Sequence, residues 1–200
     1  MIESFKTPKH HWNYFLAIEK NLENVSRYIE FNKQNFKTYS IELTHILLSA
    51  SSEVDVIMKQ LCLLLGKKTN NIDEYRGAIM GIIPDFADEN IFINRYGLVL
   101  RPWDNWMKSP AINPDWWRGY NNVKHKRHKH FEDANLKNAI NAVSALLITV
   151  VYYYKSVFEN EPESGPMDFW QVTKQLKPES SLLRMQESSY DHRTYVSYST

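Results

Sequence analysis

A single cysteine among 200 residues leaves no partner for an intrachain disulfide. Cys62 lies inside an apolar run, where a thiol packs as a small hydrophobe, so a reducing compartment, the cytoplasm, is the expected setting. Also missing is any run of about 18 apolar residues. The opening residues Met1-Ile2-Glu3-Ser4-Phe5-Lys6 contain no apolar signal core, and a soluble chain with no membrane partner is expected. An excess of one charge sign is nearly absent, at +1 from 24 basic and 23 acidic residues. That balance excludes attraction to nucleic acid by the molecule as a whole, and any affinity for phosphate has to come from a local patch. Only six glycines occur, and none forms a glycine-rich phosphate loop. A nucleophile elbow and a paired-cysteine zinc motif are missing too, so common hydrolase and dehydrogenase chemistries lose support and no cofactor is expected. Apolar residues at 43%, charged residues at 24% and an aromatic share of 14% describe one globular domain with a sizeable core.

The apolar pattern is helical almost throughout. Over residues 11–35, Trp12, Phe15, Leu16, Leu22, Val25, Tyr28, Ile29 and Phe31 recur at three- and four-residue steps, which predicts an amphipathic helix. Residues 38–65 predict a long helix with Leu43, Ile46, Leu47, Ala50, Val54, Ile57, Met58, Leu61, Leu64 and Leu65 on one arc and Gly66 as its stop, the central core helix of the fold. A short helix over 72–83 should end at Pro84. Residues 85–113 lose the period and read as an ordered, aromatic-anchored insertion with a short strand at 96–100. Asn113-Pro114 then starts a new helix. Another begins near Asn135 and buries Leu136, Ile140, Val143, Leu147, Val150, Tyr154 and Val157 at nearly heptad spacing. The expected fold is an all-α bundle of four to six helices with an irregular aromatic-rich insertion before the motif helix. Residues 1–160 form the bundle. Residues 161–200, with Phe169, Trp170, Tyr190, Tyr195 and Tyr198, form a loosely packed extension that wraps the core or a partner.

The helix that starts at Pro114 carries Trp116-Trp117-Arg118-Gly119-Tyr120-Asn121-Asn122-Val123-Lys124-His125. Arg118 and His125 are seven residues apart, within about 20° of one line along the helix, and Asn122 lies about 40° off it. Lys129 falls on the same line, at about 1100°. A fixed cation, an amide and a group that titrates near neutrality suit phosphodiester chemistry. Cleavage of RNA without a metal needs a base for the 2′-OH, a cation for the charge building on phosphorus and an acid for the leaving oxygen. His125 is the candidate acid or base, Arg118 the phosphate clamp, and Asn122 the donor that orients either one. The alternative is a wet helix face with no chemistry. The basic run 124–130 supplies positive charge beside the stripe and is either a phosphate-holding surface or a solvated face. Asn121, Lys124, Lys129 and Glu53 are the candidate substrate-binding residues.

His125, His128 and His130 also suggest a metal, but His130 would point about 140° from His125 on a helix, and only Glu132 and Asp133 lie close by; no metal site is expected. Glu53 projects to the edge of the buried arc of its helix while Asp55 faces solvent. As a half-buried carboxylate, Glu53 needs a partner, for which Arg118 and His125 are candidates alongside an ordinary helix-edge ion pair. Trp116 and Trp117 read as packing anchors more than as base-stacking platforms. Gly119 costs its helix roughly 1 kcal/mol relative to alanine. Close approach of a ligand backbone or a second helix accounts for that cost, and so does a bent first turn.

The arginine followed after six residues by histidine, Arg118 to His125, resembles the R-x4–6-H motif of HEPN domains. The surrounding Tyr120-Asn121-Asn122-Val123-Lys124-His125-Lys126-Arg127, with Phe131, Ala134, Leu136 and a long apolar helix after it, is similar to bacterial members. So are Thr38-Tyr39-Ser40-Ile41-Glu42 and Ser52-Glu53-Val54-Asp55 on the earlier helix. The resemblance covers residues 10–160. It implies a helical bundle that forms a homodimer with two motifs in a shared cleft, and a metal-independent endoribonuclease acting on RNA in a toxin or phage-defence setting, with an antitoxin protein as a further partner. Arg118 and His125 would be its catalytic pair. Many active members carry a polar residue directly after the arginine, where this chain has Gly119; Asn121 and Asn122 are the polar groups nearest to that place. Other members have lost catalysis and only bind RNA, a nucleotide or a protein.

Overall fold

The computed structural model describes residues 8–162 and 164–186. The fold is mostly helical, with α1 His10–Val25, α2 Ile41–Leu64, α3 Ile72–Met80, α4 Asp115–Lys126, α5 Leu136–Glu159 and α6 Phe169–Gln175. One antiparallel hairpin, β1 Ile91–Ile93 with β2 Leu98–Leu100, interrupts the helices, pairing Ile91 with Leu100 and Ile93 with Leu98. Gly97 turns the hairpin in the left-handed region at φ 60°, which a side chain would strain.

The centre of the bundle is the pairing of α2 with α5, flanked by α1 and α4. The expected central helix, α2, buries 11 of its 24 residues and keeps a wet face, whereas α5 buries 17 of 24. Small residues explain why α5 can be enclosed on nearly all sides: Ala139, Ala142, Ser144 and Ala145 are all inaccessible and let neighbouring helices approach. The hydroxyl of Thr149 on α5 donates to the Ala145 carbonyl and so needs no other partner. By length and composition α5 could cross a membrane, yet 83% of its most apolar window is buried in the fold.

Capping chemistry sets most helix limits. Ser40 accepts from the Leu43 amide, Asn71 from Asp73 and Glu74, and Asn135 from Asn138. Gly66, at φ 74°, follows α2 as expected of a glycine stop. The helix expected over 11–35 ends at Val25, because the Ser26 hydroxyl binds the Glu23 carbonyl and the chain turns to bury Phe31. The next segment then does something no local pattern announces. The carbonyls of Phe36 and Thr38 accept from the Lys137 and Leu136 amides, so the α1–α2 connection caps the first turn of α5.

The insertion is anchored by aromatic rings. Trp103 meets Trp106 at 4.3 Å and Trp116 at 5.1 Å between centroids, and Tyr152 of α5 donates to Glu89 at 2.7 Å. Beyond α5 the chain is fixed more firmly than a loose extension. Glu19, 1% exposed on α1, accepts the Ser180 hydroxyl and the amides of Ser181, Leu182 and Leu183, and Arg184 bridges to Phe92. α6, unforeseen in the pattern, opens with a capping box between Asp168 and Gln171. Tyr190, Tyr195 and Tyr198 lie outside the described residues.

Candidate functional site

α4 begins at Asp115, one residue after Pro114, and turns Trp116, Trp117, Gly119, Tyr120 and Val123 inward. Both tryptophans are buried, with the Trp116 indole donating to the Pro102 carbonyl at 2.8 Å, so they act as packing anchors. A side chain at position 119 would place its Cβ 2.7 Å from the Asn138 amide nitrogen of α5. Close approach of a second helix is therefore the reason for that glycine. Asn138 is itself fixed, donating to the Asp133 carbonyl at 2.9 Å.

With that face buried, Arg118, Asn122 and His125 emerge on the opposite one. Arg118, with its side chain 60% exposed, donates to Asp115 at 2.5 Å. Lys137 of α5 reaches the other oxygen of Asp115 at 3.3 Å. Partial burial works to raise the Asp115 carboxyl, but the hydrogen bonds from the two cations outweigh it and hold the group below its ordinary value. Asn122 donates to Asp133 at 2.8 Å, and Asn121 to the Trp117 carbonyl at 3.2 Å. Arg118, Asn121 and Asn122 line one cavity of about 720 Å³, together with Lys33, Phe36 and Lys37 from the α1–α2 connection.

His125 lies elsewhere. It is exposed, and among the described residues no side chain bonds to its ring. With Lys124, Arg127, His128 and Phe131 it lines a separate shallow depression of about 680 Å³. Seven residues of helix separate it from Arg118 by about 10.5 Å along the axis. Lys124 folds back instead of reaching out: its ammonium donates to the Tyr120 hydroxyl at 3.0 Å, which raises its pKa.

Three expectations need correction. Lys129 is not on the stripe, because α4 stops at Lys126 and the chain tightens through Lys129 and His130 amide bonds to the carbonyls three residues back, bringing Phe131 against Tyr39 at 5.4 Å. Glu53 pairs with neither Arg118 nor His125. It accepts from His11 of α1 at 2.6 Å, and that bond, acting against burial, raises the His11 pKa. Asp55, expected to face solvent, accepts from Tyr75 of α3 at 2.8 Å. Among the described residues no cluster of three histidine, cysteine or acidic side chains is arranged for a metal.

The residues that residue-by-residue reading missed are Asp133, Asp115, Lys33, Lys37 and Lys137. In the sequence Asp133 stands out only as a neighbour of the histidine run. Its position just before the Asn135 cap, in a tight turn facing α4, was the available signal. Comparison of the chain with family models, with curated proteins and with solved structures finds no match in any of the three.

Proposed function

We propose that the chain is a metal-independent endoribonuclease whose site lies along the outer face of α4. The observation that carries the reading is that one helix, held rigidly by its buried face, presents Arg118, Asn122 and His125 together on its accessible face. In the reaction, the 2′-oxygen attacks phosphorus, the bond to the 5′-oxygen breaks, and a 2′,3′-cyclic phosphate and a 5′-hydroxyl are left. Arg118 neutralises charge on the phosphoryl oxygens and His125 moves a proton at the 2′- or 5′-oxygen. Asn122, held by Asp133, is the polar group beside Arg118 that orients the catalytic pair.

Because Arg118 and His125 line different depressions of one chain, a homodimer that sets two α4 helices side by side is the arrangement that brings both groups to one phosphate. A toxin or phage-defence role in the cytoplasm, restrained by an antitoxin protein, follows from the same resemblance.

A second reading, a catalytically silent module that binds RNA, a nucleotide or a protein, draws on two other observations. Arg118 is already occupied by Asp115, and His125 has no group to orient it among the described residues. Incubation of single-stranded RNA with the protein in EDTA separates the two. Cleavage that falls about 10²- to 10⁴-fold in His125→Ala is expected of the nuclease. RNA left intact at every protein concentration, or cut equally by His125→Ala, leaves only the binding module.

A further inference from the structure

The cavity at Arg118 does not end at α4. A second cavity of about 420 Å³ adjoins it and shares Phe36, Asp115, Lys137 and Asn138 as lining. Together they make one groove that runs from the α1–α2 connection, across the N-terminal end of α4 and the first turn of α5, to the aromatic insertion. Lys33 and Lys37 stand at one end, Arg118 and Lys137 in the middle, and Arg101 and Lys108 at the other. Asp104, Asp115 and Asp133 oppose these six cations within the groove and Arg101 is paired with Asp88 beside it, which still leaves the groove net positive in a molecule of net charge +1.

Two features say what kind of ligand this charge would hold. Lys33 and Lys37 are exposed and make no ion pair among the described residues, so their charge is available. Half-buried Phe36 lines both cavities and offers an apolar surface on which one base can stack. Separated cations and a stacking surface fit a single strand of RNA better than a compact anion.

We infer that this groove is the track of a single RNA strand, with Asp115 as an internal anion that holds Arg118 and Lys137 until phosphate displaces it. The inference rests on the nuclease reading for the identity of the strand, and it adds residues outside the Arg118–His125 motif. Asp115 is a positioning residue here: it touches the cations, and its removal frees them.

The test is binding of a 2′-O-methyl single strand of about twelve nucleotides, which cannot be cut by 2′-OH attack, to the full chain at several salt concentrations. The triple variant Lys33→Ala, Lys37→Ala, Lys108→Ala should bind about tenfold or more weakly, with a salt slope shallower by about 2, three phosphates at about 0.7 each. Asp115→Asn should bind severalfold more tightly. A triple variant with wild-type affinity and slope, an Asp115→Asn that binds no better, or equal affinity for duplex RNA overturns the groove. Cleavage of natural RNA that depends on His125 while the triple variant binds normally ends this inference and leaves the nuclease standing. The opposite result, groove-dependent binding with no cleavage at any concentration, ends the nuclease and keeps the track.

Discussion

The two ends of α4 obey different rules. Its N-terminal half is built into the core: Trp116 and Trp117 are buried, Gly119 lies against Asn138, and Arg118 is tied to Asp115. Its C-terminal end, from Lys124 into the turn at Arg127, is exposed, and among the described residues no side chain bonds to His125. A motif whose arginine is fixed and whose histidine is free is half organised. The fixed half needs no ligand to take its shape, whereas the free half acquires its geometry from whatever docks there.

The sharpest way to break this contrast is Trp116→Ala, which removes a fully packed ring and orphans the Pro102 carbonyl. It should cost about 3–5 kcal/mol in urea unfolding. A cost below about 1 kcal/mol would remove the anchored half from the comparison. Gly119→Ala comes next. Helix propensity alone would stabilise the variant by about 1 kcal/mol. The clash with Asn138, an amide that is itself bonded, should cost about 1–3 kcal/mol and win. Adding Asn138→Ala should then return part of the loss, whereas simple additivity would mean that the two positions do not press on each other.

A held histidine, His11, serves as the control for the free one. Its pKa is raised by Glu53, so the pair contributes stability that is complete below the ordinary imidazole value of 6.5 and is lost as pH rises through the raised value. Unfolding measured from pH 6 to 9 should therefore show wild type losing its advantage over Glu53→Gln as pH increases; a constant difference would mean that the pair does not titrate with folding. The smallest effect belongs to His125→Ala, whose stability should stay within about 0.5 kcal/mol of wild type. A larger loss would show that His125 is structural after all.

Much of the bundle was legible because it depends on local signals. Ser40, Asn71, Gly66 and Asn135 mark helix limits through bonds within a few residues, and the three-and-four spacing on α2 and α5 predicts burial without knowledge of the partner. What escaped depends on distant pairing. The α1–α2 connection caps α5 across about a hundred residues of chain, from Phe36 and Thr38 to Leu136 and Lys137, and that contact brings Lys33 and Lys37 beside Arg118. Glu53 was correctly read as needing a partner, yet its choice of His11 follows from how α1 crosses α2 and not from any spacing. The stripe on α4 was visible up to His125. Its continuation to Lys129 failed because helical phase carries no information about where a helix stops, and here the stop is set by Phe131 returning to Tyr39.

Gly119 gives α4 a fulcrum. The helix is pinned there against α5, and His125 sits six residues beyond, on a lever arm of about 9 Å. A tilt of only about 10° at the pin would swing the far end by roughly 1.6 Å, more than the 1 Å misplacement that can cost a positioned group a hundredfold in rate. The width of one missing methyl group, deep in the packing, thus sets where the helix end that carries the histidine lies at the surface.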